Sequence, residues 1–169
     1  MAADAMALAI VAAGTGTGAV IDLRVRRVPN ALTMTLATAG VALAAAGLGR
    51  LGVSAAIAGW AAGLALMLPG YLIGATGAGD VKLLAAVGTL LGPEGILWAF
   101  LYSAIAGGAI AIIVAALRGR LRRTIDETMW LVLSRGANSA AIEDPQANNR
   151  FAYAPAIAIG AVVAAIAGG

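Results

Sequence analysis

The chain of 169 residues contains no cysteine and no histidine, and only 11% of its residues are charged. Without cysteine there is no disulfide framework, no thiolate zinc site and no cysteine nucleophile. Without histidine there is no imidazole base and no imidazole metal ligand. Carboxylates are therefore the main groups left for acid and base chemistry, and we expect neither a metal nor an organic cofactor.

Charge is scarce because apolar residues make up 62% of the chain, and the mean hydropathy is +0.95. Soluble domains have fewer apolar and more charged residues, so this composition indicates an integral membrane protein. Many of the apolar residues are small, and small side chains let transmembrane helices approach closely. Basic loops of a membrane protein explain the net charge of +3 better than a nucleic-acid partner does.

Six apolar segments approach the roughly 20 residues that a membrane-spanning helix needs. They cover residues 5–21, 31–48, 53–73, 81–91, 96–117 and 151–167. Pro29 and Asn30 open the second segment, where Asn30 can cap the new helix, and Gly92-Pro93 ends the short fourth segment. The sequence thus predicts an all-α fold, with one membrane domain over residues 1–169 that forms a bundle of six transmembrane helices.

Basic residues predict the orientation, because cytoplasmic loops of membrane proteins carry an excess of Lys and Arg. If the loop after the first segment is cytoplasmic, all basic residues except Arg50 fall on the cytoplasmic side and both termini lie outside. Asp22 ends the first segment and Asp80 precedes the fourth, so both acids are predicted at the same cytoplasmic membrane face. The placement of both acids at the same membrane face follows from counting the spans alone.

The polar segment 118–150 is then a cytoplasmic loop. Thr124 and Glu127 have the spacing of a capping box, and an apolar helical face accompanies them. That face consists of Ile125, Met129, Val132 and Leu133. We expect an amphipathic helix on the inner membrane surface.

Asp80 lies in a short glycine-containing stretch, residues 76–82, between two long apolar runs. An acid at a membrane boundary is costly to bury and usually marks function. Gly77 and Gly79 carry no Cβ, so a substrate strand could lie close to the backbone there. Val81 onward is predicted to be helical, which places Asp80 near a helix N-terminus, where exposed amides favour a carboxylate.

Asp22 is the best partner for Asp80. Two carboxylates brought close cannot easily both ionise, so one holds a proton while the other draws a proton from water. Peptide hydrolysis by such a pair needs neither a metal nor a covalent intermediate. A simpler interpretation is that Asp22 caps a helix or pairs with an arginine, and that Asp80 only stabilises an N-terminus.

Other polar and aromatic residues have simple membrane roles. Lys82 can reach phosphate headgroups or attract an acidic substrate group, and the arginines that follow Asp22 set the topology. The aromatic residues are interpreted as interface anchors or packing residues. They are Trp60, Trp98, Tyr102 and Tyr153.

Two motifs resemble those of a known family. Gly77-Ala78-Gly79-Asp80-Val81-Lys82-Leu83 is similar to the second aspartate motif of type IV prepilin peptidases, which are intramembrane aspartyl proteases of the GxGD kind. Residues 22–30, an aspartate followed by a basic stretch and Pro-Asn, resemble the first motif of that family. Residues 153–160 also resemble the family's last helix, so the resemblance covers the whole chain.

The resemblance implies that Asp22 and Asp80 are catalytic, and that Gly77, Gly79 and Lys82 bind substrate or support the site. It implies the same supporting role for Pro29 and Asn30. The implied function is removal of the leader peptide from prepilin or pseudopilin precursors, in pilus biogenesis and protein secretion, at the cytoplasmic face of the inner membrane. The implied partners are the precursor, membrane lipid and the pilus assembly machinery.

Longer family members carry a cysteine-containing methyltransferase region between their first spans. Here that loop is short and cysteine is absent, so N-methylation is not expected. The size resembles that of peptidases that serve tight-adherence (Flp) pili.

Two alternatives stay open from the residues. One is a protease similar to presenilin or signal peptide peptidase, but the Pro-Ala-Leu sequence of those families is absent and Pro29-Asn30 is present. The other is a small transporter or assembly scaffold that uses the two aspartates for ion binding or helix pairing. Cleavage of a precursor, followed on a gel, distinguishes a peptidase from a scaffold.

Overall fold

The computed structural model describes residues 2–117, Met129 and residues 153–168, and these residues form helices without any strand. In chain order the helices are α1 (Ala2–Val25), α2 (Asn30–Ala45), α3 (Val53–Leu72), α4 (Ala78–Leu117) and α5 (Ala154–Ala167). The predicted all-α class is confirmed. The predicted amphipathic helix within 118–150 lies outside the described residues, apart from Met129.

The prediction of six helices is wrong for the described part of the chain, which contains five. By length and composition, three of them can cross a membrane: α1, α3 and α4. The helices α2 and α5 are apolar but shorter, with 16 and 14 residues. The discrepancy in number arises in α4, where the predicted fourth and fifth segments form one 40-residue element.

Gly92 interrupts α4 at the predicted stop, with φ 71° and ψ −178°. Glycine adopts this positive φ without the steric penalty of a Cβ. The helix resumes directly after Gly92, and proline is well suited to the first turn of a helix, where Pro93 lies. Tyr153 lies near Asp80, in the first turn of α4, and also against Gly107. A straight helix would separate Asp80 from Gly107 by about 40 Å. The chain therefore reverses direction at Gly92.

Glycines bring α3 and α4 into backbone contact. A Cβ on Gly59 would overlap the carbonyl oxygen of Gly88, and a Cβ on Gly63 would lie 2.8 Å from that of Leu84. Close approach of this kind is typical of helices that pack in a membrane, where small residues replace large ones at the contact. Gly59 and Gly63, four residues apart on α3, thus form the surface on which α3 contacts α4.

The helix α4 is central, because it packs against all four other helices. Its buried side chains include Leu83, Leu84, Val87 and Ile96, none of them measurably exposed. Many large apolar side chains on the outside of the bundle are exposed, which fits a protein whose solvent is lipid rather than water. With α4 folded back on itself, its first turn lies at the same end of the bundle as the start of α5.

Candidate active site

Asp22 lies in the last turns of α1, and its carboxyl is buried, with 6% of the residue exposed. The helix ends three residues later, at Val25, because Arg26 adopts a left-handed conformation with φ 54°. The Asp22 carbonyl accepts a hydrogen bond from the Arg26 N–H at 2.7 Å. The Asp22 Oδ2 atom accepts from the N–H of Ala154, the first residue of α5, at 3.3 Å. One end of α1 is therefore connected to the C-terminal helix through this carboxyl.

Asp80 is the third residue of α4, and it is 8% exposed. Its Oδ2 atom accepts from the N–H of Gly77 at 3.2 Å, while its own N–H donates to the Gly77 carbonyl at 3.1 Å. The carboxyl makes one half of a capping box, in which a side chain in the first turn accepts from the N–H of the residue that precedes the helix, while the second bond is an ordinary backbone turn. A Cβ on Gly77 would lie 3.2 Å from Oδ2, so glycine leaves room for the carboxyl to fold back.

The structure brings the two aspartates together. Asp22 is close enough that its negative charge acts on the buried Asp80 carboxyl. The positive charge of Arg26 in turn acts on Asp22. Each carboxyl accepts a backbone hydrogen bond at its Oδ2 atom, Asp80 from Gly77 and Asp22 from Ala154.

The connection between α1 and α2 packs on the start of α4. A Cβ on Gly79 would lie 3.1 Å from the Cβ of Val28, so the glycine lets this connection approach. Val28 is buried there, with 6% exposed. The Lys82 Nζ atom donates to Asn30 Oδ1 at 2.9 Å, which joins the two predicted motifs directly.

The prediction that the Asn30 side chain caps α2 is wrong. Pro29 occupies the N-cap position with an extended backbone, and α2 has no side-chain cap. The amide of Asn30 is used instead as an acceptor for Lys82. The physical reason is that Lys82 projects from the neighbouring helix, and an ammonium group is a stronger donor than a backbone amide.

Tyr153 lies directly before α5 and is a site residue that sequence reasoning missed. Its ring lies against Gly107, where a Cβ would come within 2.6 Å of the ring atom Cε2. Burial raises the pKa of the Tyr153 phenol, and the nearby charge of Asp80 raises it further. The phenol is therefore neutral at physiological pH. In the sequence only the resemblance of residues 153–160 to a family helix pointed to this region, and the backbone donor Ala154 has no sequence signal.

The opposite end of the bundle holds other charges. Arg50 pairs with Asp4 at 3.0 Å and donates to the carbonyl of Gly168 at 2.6 Å. A cavity of about 630 Å³ lies there, lined in part by Glu94 and Trp98. Neither aspartate of the pair lines this cavity. Among residues 2–117 and 153–168, no group of three acidic side chains could hold a metal ion.

Comparison with known proteins gives one match. The model of the type IV leader peptidase family matches residues 7–112, which is more than half of the chain. No curated protein and no solved structure matches. The matched residues include both aspartates and end before α5.

Proposed function

Because the chain belongs to the type IV leader peptidase family, we propose that it removes the leader peptide of type IV prepilin precursors with Asp22 and Asp80 as its catalytic pair. The observation that carries this proposal is that two buried carboxyls from different helices lie at one end of the bundle, near enough for the charge of one to act on the other. Two residues that only cap helices would have no reason to lie together. Buried charges in a membrane protein are costly and are retained mainly for function.

Hydrolysis by this pair requires one water molecule and one shared proton. One carboxylate takes a proton from water as the water oxygen bonds to the carbonyl carbon of the scissile peptide. The other carboxyl gives its proton to the carbonyl oxygen. The C–N bond then breaks as the nitrogen takes the proton that the first carboxylate removed from water. One hydroxyl of the hydrated carbon returns its proton to the second carboxylate, and the products are a carboxyl on the leader and an amine on the mature chain. Acid and base roles belong to the pair, since strongly coupled groups titrate together.

The hydrogen bonds around the pair suit this reaction. The Gly77 and Ala154 N–H groups each hold one carboxyl in place, so neither side chain has to reorganise at the moment of reaction. Gly77 is itself exposed, and the glycine backbone leaves space beside Asp80 for an extended peptide. We assign Gly79, Lys82, Pro29 and Asn30 to support of this arrangement.

The proposed orientation places this end of the bundle at the cytoplasmic face of the inner membrane. Support comes from the distribution of basic residues. Arg24, Arg26, Arg27 and Lys82 lie near the aspartate pair, whereas Arg50 lies at the other end. Cytoplasmic faces carry the excess of such residues. The termini would then lie outside.

The proposed substrate is a tight-adherence (Flp) type prepilin, cleaved without N-methylation of the new terminus. The connection between α1 and α2 spans only residues 26–29, which leaves no room for an inserted methyltransferase region. The chain also has no cysteine for such a region.

The test is co-expression with a Flp-type prepilin, with precursor size followed on a gel. We expect the wild type to cleave, and Asp22→Asn and Asp80→Asn each to abolish cleavage while the protein still accumulates in the membrane. Glu94→Gln is the matched control, because it neutralises an exposed carboxylate at the opposite end. Substantial cleavage by either aspartate variant would refute the catalytic pair. Complex formation with the precursor but no cleavage by the wild type would favour a scaffold.

A further inference from the structure

The C-terminal helix α5 lies beyond the residues that the family model matches, yet its start contacts the aspartate pair. The Ala154 N–H that binds Asp22 is fully buried, so water does not compete for this bond. Loss of a buried partner leaves an unsatisfied polar group, which is costly. The start of α5 is therefore held firmly to the end of α1.

Two consecutive residues of this segment reach the two acids. Ala154 binds Asp22 through its backbone, and Tyr153 lies close enough to Asp80 to experience its charge. The contact between Val28 and Gly79, the residue before Asp80, independently places the end of α1 and the start of α5 bound to it beside the first turn of α4. Residues 153 and 154 together thus bind Asp22 and lie near Asp80.

The ring of Tyr153 packs on α4 at a position where a glycine leaves room for it. The bare Cα of Gly107 faces the ring, and a Cβ on Gly107 would also meet the Cβ of Ala156 at 3.4 Å. Gly108, the next residue, has no atom within 4 Å of the corresponding position. Of these two adjacent glycines, only Gly107 makes room for the ring.

We propose that Tyr153 is a positioning residue of the site, and that its phenol, seated on Gly107, holds the Asp80 carboxyl in register with Asp22. This inference rests on the proposed peptidase function. A neutral hydroxyl can donate to a carboxylate without adding charge between two acids. A cationic donor in its place would instead neutralise the pair.

The activity test uses the purified full-length protein in proteoliposomes with a Flp-type prepilin. Tyr153→Phe keeps the ring on Gly107 and removes only the hydroxyl. We expect kcat to fall about tenfold, equivalent to about 1.4 kcal/mol. KM should stay within about twofold and the thermal midpoint should not change, because binding surface and packing are retained.

Gly107→Ala is the second variant and Gly108→Ala its matched control. Both add one methyl group to the same stretch of helix, but only the first presses on the ring. We expect Gly107→Ala to lower kcat and Gly108→Ala to leave it unchanged. The double variant Gly107→Ala with Tyr153→Phe should lose little more than the single variants, since both act through one hydroxyl.

A titration tests the geometry without any cleavage. Tyr71 and Tyr102 are the other two tyrosines, so Tyr71→Phe with Tyr102→Phe leaves Tyr153 as the only phenol. The acid whose charge acts on Tyr153 is Asp80 from α4, whereas Asp22 from α1 binds the backbone of the next residue, Ala154. Since the Asp80 charge raises the Tyr153 pKa, Asp80→Asn should move the phenol titration to lower pH.

The proposal would be overturned if Tyr153→Phe had the kcat of the wild type. It would also be overturned if the substitution raised only KM or lowered only the thermal midpoint. A phenol titration unaffected by Asp80→Asn would overturn it as well. Failure of the proposed function is a different result. In that case the wild type does not cleave, or Asp22→Asn still cleaves, whatever the phenol titration shows.

Discussion

Gly79→Ala offers a sharp test of how the connection between α1 and α2 sets the aspartate pair. The added Cβ would lie 3.1 Å from the Cβ of Val28 and 3.4 Å from its backbone nitrogen. Ordinary carbon contacts are about 3.5–4.0 Å, so the two segments must separate by about 0.5 Å. Neither Val28 atom is the end of a flexible side chain. The backbone of the connection therefore has to move.

The energies predict that activity falls more than stability does. Overpacking at a buried contact costs about 1–3 kcal/mol. Replacing glycine by alanine in a helix returns about 1 kcal/mol, so the net loss of unfolding free energy is about 0–2 kcal/mol. A misplacement of about 1 Å in an active site can cost about a hundredfold in rate. A shift of half that size should lower prepilin cleavage about tenfold.

The assay compares initial cleavage rates in proteoliposomes with thermal unfolding in detergent. Gly16→Ala is the control, because this helical glycine has open space where the Cβ would be. In a Val28→Gly background the obstructing Cβ is gone, so Gly79→Ala should cost little further activity. Wild-type rates in Gly79→Ala would refute the reasoning. An equal loss in both backgrounds would show that Val28 is not the contact.

Gly59→Ala places a Cβ against the backbone of Gly88, so we expect the free energy of unfolding to fall by about 1–3 kcal/mol. Denaturant unfolding in detergent measures this, and a stability equal to wild type would contradict the close contact of α3 and α4. Asn30→Ala and Lys82→Ala should each slow cleavage, and the double variant should show a coupling of about 0.5–1 kcal/mol because the two side chains share one exposed hydrogen bond. Strictly additive effects on the cleavage rate would mean that this bond does not act in the protein.

Much of the candidate site could be predicted from the sequence, because the relevant signals are local. Runs of apolar residues have to be helical in a membrane, since every backbone polar group needs an internal partner there. Counting those runs placed Asp22 and Asp80 at one end, where the structure has them. Their catalytic role and the orientation in the membrane stay predictions.

The number of helices could not be counted correctly in the same way. Gly92-Pro93 predicts a helix stop, but a local stop does not reveal whether a loop follows. Proline at the first turn lets the helix resume at once, so the two predicted segments form one folded-back element. The position of Asn30 before an apolar run predicts a cap for a similar reason, because its actual partner Lys82 is distant in sequence.

The sequence by itself determined the chemistry available to this protein. With no histidine and no cysteine, carboxyl groups are its main side chains for acid and base chemistry near neutral pH, and residues 7–112 match the type IV leader peptidase family. Only the tertiary structure decided which groups meet. The Ala154 N–H on Asp22 and the Tyr153 ring on Gly107 join parts of the chain far apart in sequence. Such contacts depend on how whole helices pack, and a backbone donor or a missing Cβ becomes significant only once its neighbour is in place.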